Sequence, residues 1–248
     1  MHKQDKVVAI IQARMTSSRL PEKVLKKINN KSMLETLINR VGKSEKISSI
    51  VVATTEKKKD DIIVKVAKGL GVQYYRGSEY DALSRYINAS KVADADVVVR
   101  VTADNPLTDP KLMDKLIEAH LENEADYTHC TGAPLGVSVE VVNRDILEKI
   151  DSITEGSEYR EHVTFYILDH PESFKIHTAK ARDFGLDYPS LRLTVDTEED
   201  LALMRKLHES LGDLERVEVR EVIEFLNTHP EIREINAHIK QRTPKSAR

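Results

Sequence analysis

Short β-branched runs alternate with amphipathic stretches along most of the chain. VVAIIQ (7–12) is apolar at nearly every position, as expected of a strand buried on both faces of a parallel sheet. SMLETLINRVGKS (32–44) sets Met33, Leu34, Leu37, Ile38 and Val41 on one helical face. ISSIVVATT (47–55) predicts a second strand, and KDDIIVKVAKGLG (59–71) a helix closed by glycine. VQYYR (72–76) predicts a short strand and DALSRYINASKVA (81–93) a helix. ADVVVRVTAD (95–104) is another doubly buried strand, and DPKLMDKLIEAHLEN (109–123) a helix with Asp109 as N-cap and Pro110 at its first position.

This β-α-β-α order predicts an α/β fold: a Rossmann-like, mainly parallel open sheet with helices on both faces. Residues 125–195 are less regular, with candidate strands at DYTHC, VSVEVV and SFKIHTAK and helices near 143–150 and 158–169. An apolar strand precedes Asp196, and two helices follow it, near 197–211 and 218–228. With 248 residues and no internal repeat, one domain over 1–240 is expected, with a frayed tail over 241–248.

Composition narrows this picture. Hydrophobic residues make up 40% of the chain, enough for a large core, but aromatics are 5% and tryptophan is absent. The core must rest on Val, Ile, Leu and Ala. A net charge of -3, from 38 basic and 41 acidic residues, predicts neither nucleic acid nor an anionic membrane as partner. The one cysteine, Cys130, excludes an intramolecular disulfide and a cysteine-based zinc cluster. A charged N-terminus before a short apolar run predicts no signal peptide, and the expected setting is cytoplasmic.

The first strand leads straight into QARMTSSRLPEKVL (12–25), which gathers Arg14, Arg19, Lys23 and three hydroxyls. Open parallel sheets bind ligands beyond the carboxyl ends of their strands. There these cations could grip one polyanion, guanidinium groups bidentately and lysine as a mobile point charge. The stretch has no glycine, so it is neither a Walker loop nor a dinucleotide fingerprint. The other reading is a solvated basic loop.

Two aspartates also stand just past apolar strands. Asp104, in VVVRVTADNPLTDP, suits Mg²⁺, which favours one or two carboxylates with phosphate oxygens and water. It also suits a turn, because Asp-Asn-Pro is turn chemistry. Asp196, in LRLTVDTEEDLALMRKL, could be a second ligand. Alternatively Asp196 or Thr197 is an N-cap, with Glu199 or Asp200 completing a capping box.

The order of residues says more than their charge. Gln12, Ala13, Arg14, Ser17, Ser18, Arg19, Leu20, Pro21, Lys23 and Leu25 resemble the opening Q/P-A-R-x-x-S-T/S-R-L-P-G-K-x-L of nucleotide-sugar cytidylyltransferases. The resemblance is to the SpsF-like spore-coat polysaccharide family, and more distantly to CMP-Kdo and CMP-sialate synthetases. RVTADNPLTDP and RLTVDTEEDL are similar to that family's RVTGDCPLIDP and RLTVDTPEDL. Glu22 stands where the family has glycine, Ala103 where it has glycine, and Asn105 where it has cysteine. YRGSEYDALSRY, PLGVSVEVV and SEYREHVTFYILDHP resemble further family segments, with Ser138 where aspartate is common, so the likeness runs over roughly residues 7–237.

The resemblance implies a GT-A-like version of the fold and Mg²⁺-dependent transfer of CMP from CTP to a sugar or sugar-phosphate acceptor, with release of pyrophosphate. Arg14, Lys23 and Asp104 would be catalytic, and Asp104 and Asp196 would hold Mg²⁺. Ala13, Arg14, Ser18, Arg19 and Lys23 would bind the nucleotide. So would Arg76, Gly77 and Asp81, although these also read as an ordinary strand–loop–helix with Asp81 as cap. Arg85, Glu140, Glu161 and His162 would line the acceptor site, with a purely structural histidine as the other reading of His162. The resemblance also implies a homodimer. Two other functions fit the residues: a GT-A-type glycosyltransferase, against which the lack of a paired Asp-x-Asp weighs, and a non-catalytic nucleotide-binding protein.

Overall fold

In the computed structural model the described residues are 5–154 and 156–241. Seven strands are present among them: β1 (Val7–Gln12), β2 (Ser49–Thr55), β3 (Gln73–Gly77), β4 (Val97–Thr102), β5 (Tyr127–Thr131), β6 (Glu140–Asn143) and β7 (Ile176–Lys180). The helices are α1 (Met33–Val41), α2 (Asp61–Gly69), α3 (Ala82–Val92), α4 (Pro110–Glu122), α5 (Arg144–Ile153), α6 (Ser157–Glu161), α7 (Phe165–Asp169), α8 (Glu198–Leu211), α9 (Val219–Thr228) and α10 (Pro230–Arg233). No helix among the described residues is long and apolar enough to cross a membrane.

The strands form one sheet in the order β3-β2-β1-β4-β6-β5-β7. All pairings are parallel except those of β6, which runs antiparallel to β4 and β5. Alternation along each strand splits the core in two. Ala9, Ile11, Val52, Val99 and Val141 face a layer built from α1, α2, α4, α8 and α9. Val8, Ile10, Val51, Val98 and Val142 face α3, α5 and α7. The expected aliphatic core is present: most of its members are Val, Ile, Leu and Ala.

Register decides where the chain leaves the sheet. Gln12 at the end of β1 lies opposite Ala53 of β2 and Thr102 of β4. The Ala13 amide then donates to Ala53 O at 3.1 Å and the Ala103 amide to Gln12 O at 3.0 Å. The basic loop and the Asp104 turn therefore emerge side by side at the sheet's carboxyl rim.

Two expectations need correction. The apolar run before Asp196 is extended and buried at Leu191, Leu193 and Val195, but it is not a sheet strand. It makes one bridge, Leu135 with Arg192, and its amides find isolated acceptors: Leu193 N donates to Leu135 O at 2.8 Å and Val195 N to Asp104 O at 2.8 Å. The segment it meets carries Gly136 at φ 94°, where a Cβ would sit 2.6 Å from Thr194 N, so only glycine permits the approach. The helix expected over 158–169 breaks into α6 and α7, and the break brings the Thr164 hydroxyl to Glu140 Oε2 at 2.7 Å. The tail expected to fray lies outside the described residues, except Gln241, whose Oε1 accepts from Arg192 Nη1 at 2.6 Å.

Candidate active site

The loop after β1 is held from beneath. Met15, Leu20 and Val24 are buried in the core, which leaves the polar residues between them on the outside. The Met15 amide donates to Asp60 Oδ1 at 2.9 Å, and the Thr55 hydroxyl donates to the other oxygen of this fully buried carboxylate. Glu22 N donates to Met15 O at 3.2 Å and closes the loop. Glu22 is left-handed, at φ 58° and ψ 22°, and its side chain is exposed. A left-handed backbone is what the glycine of the resembling family would supply. Ala103 is not among the described residues with positive φ, so alanine fits there without strain.

At the rim, Lys23 Nζ donates to Asp104 Oδ2 at 3.0 Å, to Asp196 Oδ1 at 2.8 Å and to Val195 O at 3.1 Å. Arg19 Nη2 lies 2.9 Å from Asp196 Oδ2, and Arg192 Nη2 donates to that same oxygen at 2.9 Å. Arg192 also grips Asp200 bidentately, Nε to Oδ1 at 2.8 Å and Nη2 to Oδ2 at 3.0 Å. Asp200 is fully buried and accepts as well from the Asp196 and Thr197 amides and from Asn236 Nδ2. Thr197 is the N-cap of α8, in a capping box with Asp200, so Asp196 is left free to face the loop. Asp104 Oδ1 is buried and has no hydrogen-bond partner.

Electrostatics follow from this geometry. Burial pulls the Lys23 ammonium down, but Asp104 and Asp196 outweigh it and its pKa is raised. Burial pushes Asp196 up, but Lys23, Arg19 and Arg192 hold it below the ordinary carboxylate range. Asp200 is depressed in the same way, burial being overridden by Arg192 and donated hydrogen bonds. Lys23, Asp196 and Asp200 therefore keep their charges at neutral pH.

The remaining site candidates are arranged around this centre. Ala13 is buried and Ser18 is exposed. Arg14 Nη2 lies 4.0 Å from Glu161 Oε1, with side chains 37% and 62% exposed, so Arg14 carries no tight partner there. Glu79 ties the two rim loops together: Thr16 donates to it at 2.7 Å and Lys57 pairs with it. Arg76 is turned away, bonding to Thr55 O, Lys57 O and Asp61. Arg85 is buried and donates to the Ser78 and Glu79 carbonyls, so it braces the 78–79 turn from inside. A Cβ on Gly77 would lie 3.0 Å from the Arg85 stem. Asp81 caps α3 through Ser84 N at 2.9 Å and pairs with Arg160 at 3.1 Å. His162 is half-buried, with its ring 6.3 Å from that of Phe165.

Glu140 stands on β6 opposite Arg100 of β4, with Oε2 2.8 Å from Arg100 Nη1. Burial raises its pKa, but Arg100 and then Thr164 bring it below the usual range. This pair lines a polar cavity of about 240 Å³ with Thr102, Asn105, His129 and Ser138. The cavity opens beside the Asp104 turn. A larger groove of about 620 Å³, between α1, α4 and residues 215–220, shares no residue with the rim cluster.

A family model described as "Cytidylyltransferase" matches residues 8–225. The chain belongs to the cytidylyltransferase family. It is 37% identical over 230 residues to the spore coat polysaccharide biosynthesis protein SpsF of Bacillus subtilis, covering 91% of this chain and 95% of that one. A cytidylyltransferase structure from Leptospira borgpetersenii superposes with a TM-score of 0.88 at 30% identity, covering 97% of this chain and 100% of that one. The structure of CMP:2-keto-3-deoxy-manno-octonic acid synthetase complexed with CTP shares the fold, with a TM-score of 0.64 at 17% identity over 83% of this chain and 99% of that one. This cytidylyltransferase is thus a nucleotidyltransferase of SpsF-like type, and the glycosyltransferase and non-catalytic alternatives fall away.

The rim of this cytidylyltransferase suits a magnesium-like cation. Two carboxylate side chains share one ammonium, and that of Asp104 keeps a buried oxygen without a hydrogen-bond partner. No group of three metal-ligating side chains occurs among the described residues, so ligand oxygens and water would complete the shell, as magnesium favours. Arg192, Asn236 and Asp60 were not legible as site residues in the sequence. A charged residue inside the apolar run LRLTV was the available signal for Arg192. Asp200 was visible only as a capping residue, although the same carboxylate also anchors Arg192.

Proposed function

We propose that the enzyme joins CMP from CTP to a sugar or sugar-like acceptor and releases pyrophosphate, with Mg²⁺ as cofactor, in the synthesis of a surface-polysaccharide precursor. The observation that carries this reading is the meeting of Arg19 and Lys23 of the basic loop with Asp104 and Asp196 at one rim. CTP as donor is supported by the family and by the CTP complex of the CMP-2-keto-3-deoxy-manno-octonic acid synthetase. The polysaccharide role is supported by the likeness to SpsF.

In-line transfer at phosphorus asks the protein for positioning and charge neutralisation. Arg14, with no tight partner among the described residues, is ready to take a phosphate oxygen, while Arg19 and Lys23 must first leave the carboxylates. Together they hold the β- and γ-phosphates and stabilise the departing pyrophosphate. Asp104 and Asp196 would hold Mg²⁺, which when bound supplies Lewis-acid neutralisation of phosphate charge. Arg85 keeps the 78–79 turn in shape beside the loop, which suits a site for the base. The cavity between Thr102, Asn105, Ser138 and Glu140 suits the acceptor, whose attacking oxygen must come within reach of the α-phosphorus at the Asp104 turn. Because this reaction draws on CTP, we assign the enzyme to the cytoplasm, and on its likeness to the SpsF-like family we assign it as a homodimer.

A thermal-shift screen of the four nucleoside triphosphates with Mg²⁺ tests the donor, since a ligand bound only by the native state raises the melting point. CTP should give the largest shift, and a larger response to another triphosphate would overturn the base assignment. Turnover with a panel of sugars and sugar acids should yield pyrophosphate.

A further inference from the structure

We propose that Lys23 holds, in the nucleotide-free enzyme, the place between Asp104 and Asp196 that a divalent cation takes in the loaded site, so that the ion binds tightly only when the triphosphate binds with it. This rests on the proposed reading of the two aspartates as metal ligands, and not on the identity of the base.

All three N–H donors of the Lys23 ammonium are used: on Asp104 Oδ2 at 3.0 Å, Asp196 Oδ1 at 2.8 Å and Val195 O at 3.1 Å. The Lys23 side chain is 14% exposed and that of Asp196 9%. Around it Arg19, Lys23 and Arg192 face Asp104, Asp196 and Asp200, so charge is already balanced. A bare divalent ion must displace the ammonium. It would leave Lys23 half-buried without a counter-charge and next to a like charge, both of which are costly.

A triphosphate removes that obstacle. It offers Lys23 and Arg19 new anionic acceptors, and a lysine on a four-carbon stem can turn to them while its backbone stays in the loop. Asp196 need not move when Lys23 leaves, because Arg192 holds its other oxygen and Asp200, Asn236 and Gln241 hold Arg192 or its backbone. Asp104 Oδ1, buried and unpartnered, lies on the carboxylate that Lys23 covers on one oxygen only. Lys23 therefore guards the pair against free ions and ties metal affinity to nucleotide.

The test is Mn²⁺ binding to the full chain, followed by electron paramagnetic resonance of the free ion, without and with CTP. The wild-type enzyme should take up Mn²⁺ weakly alone, and CTP should strengthen uptake beyond that of CTP itself. Lys23→Met should bind Mn²⁺ without nucleotide about tenfold or more tightly than wild type, within the usual range of coupling between sites. Lys23→Gln is the substitute if Lys23→Met fails to fold by circular dichroism. Equal nucleotide-free affinity in wild type and variant overturns the guarding role, even where CTP-dependent uptake persists. A gain in Lys23→Met that survives the added change Asp104→Asn overturns the ligand pair itself.

Discussion

The Asp104 carbonyl accepts a hydrogen bond from the Val195 amide at 2.8 Å and a longer one from the Thr194 hydroxyl at 3.3 Å, and these contacts join the two acidic turns of the site. They fix the exit of β4 against the extended segment before α8. The side chains of Asp104 and Asp196 then converge on Lys23, and the following predictions depend on that convergence.

Asp104→Asn keeps the shape of the carboxylate but halves the charge available to a cation. Its side chain is 27% exposed and its loss leaves no buried cation without a partner, because Lys23 keeps Asp196. We expect kcat to fall by roughly a hundredfold or more, a typical loss when one stabilising group is removed from a reacting centre, with the melting temperature nearly unchanged. Steady-state pyrophosphate release and a thermal melt check both halves, and normal turnover would remove Asp104 from the metal site.

Arg14→Ala should raise KM for CTP without loss of stability. The side chain is more than a third exposed and the nearest carboxylate among the described residues, on Glu161, is 4.0 Å away, so little folding energy depends on it. Charge-assisted hydrogen bonds are worth about 1.5–3 kcal/mol, which makes an increase of about tenfold or more the expected outcome. An unchanged KM and kcat would detach Arg14 from the triphosphate.

Asp200→Asn should destabilise the fold by about 3–5 kcal/mol, the usual effect of removing one partner from a buried ion pair. Its folded pKa is depressed, so its contribution is fully present above the ordinary aspartate value and is lost as pH falls through the lower folded value. The gap between wild type and variant should therefore be wide at pH 7 and narrow toward pH 3. Urea titrations at the two pH values measure it.

Glu22→Gly should leave stability unchanged or raise it slightly. The left-handed backbone costs an L-residue about 1–2 kcal/mol, whereas glycine's extra chain entropy costs about 0.5–1 kcal/mol. Relief outweighs entropy by about 0–1.5 kcal/mol. Glu22→Val, β-branched at φ 58°, should lower the melting temperature instead. The pair of thermal melts tests whether the loop keeps this conformation in solution.

Much of this protein is local information. Period and capping residues alone marked β1, β2, α1 and α4, because a strand buried on both faces must be apolar throughout and Asp109-Pro110 starts a helix whatever lies around it. The basic loop was equally visible, since leaving a buried strand with three cations in ten residues is a property of the chain order itself. What the sequence left ambiguous was each residue's partner. Asp196 could have been a cap, and only the folded chain gave that task to Thr197 and turned Asp196 toward Lys23. Arg76 and Arg85 have the composition of a ligand site, yet Arg76 donates to the Thr55 and Lys57 carbonyls and the Asp61 carboxylate, and Arg85 Nη1 to the Ser78 and Glu79 carbonyls.

Period and propensity act over a few residues, so the sequence by itself determined the layers, the rim and the charge that collects there. The tertiary structure decided which carboxylate faces which cation. That choice is made by β-sheet register, by the backbone approach at Gly136 and by a buried arginine more than a hundred residues beyond the loop, and none of these acts through neighbours in sequence.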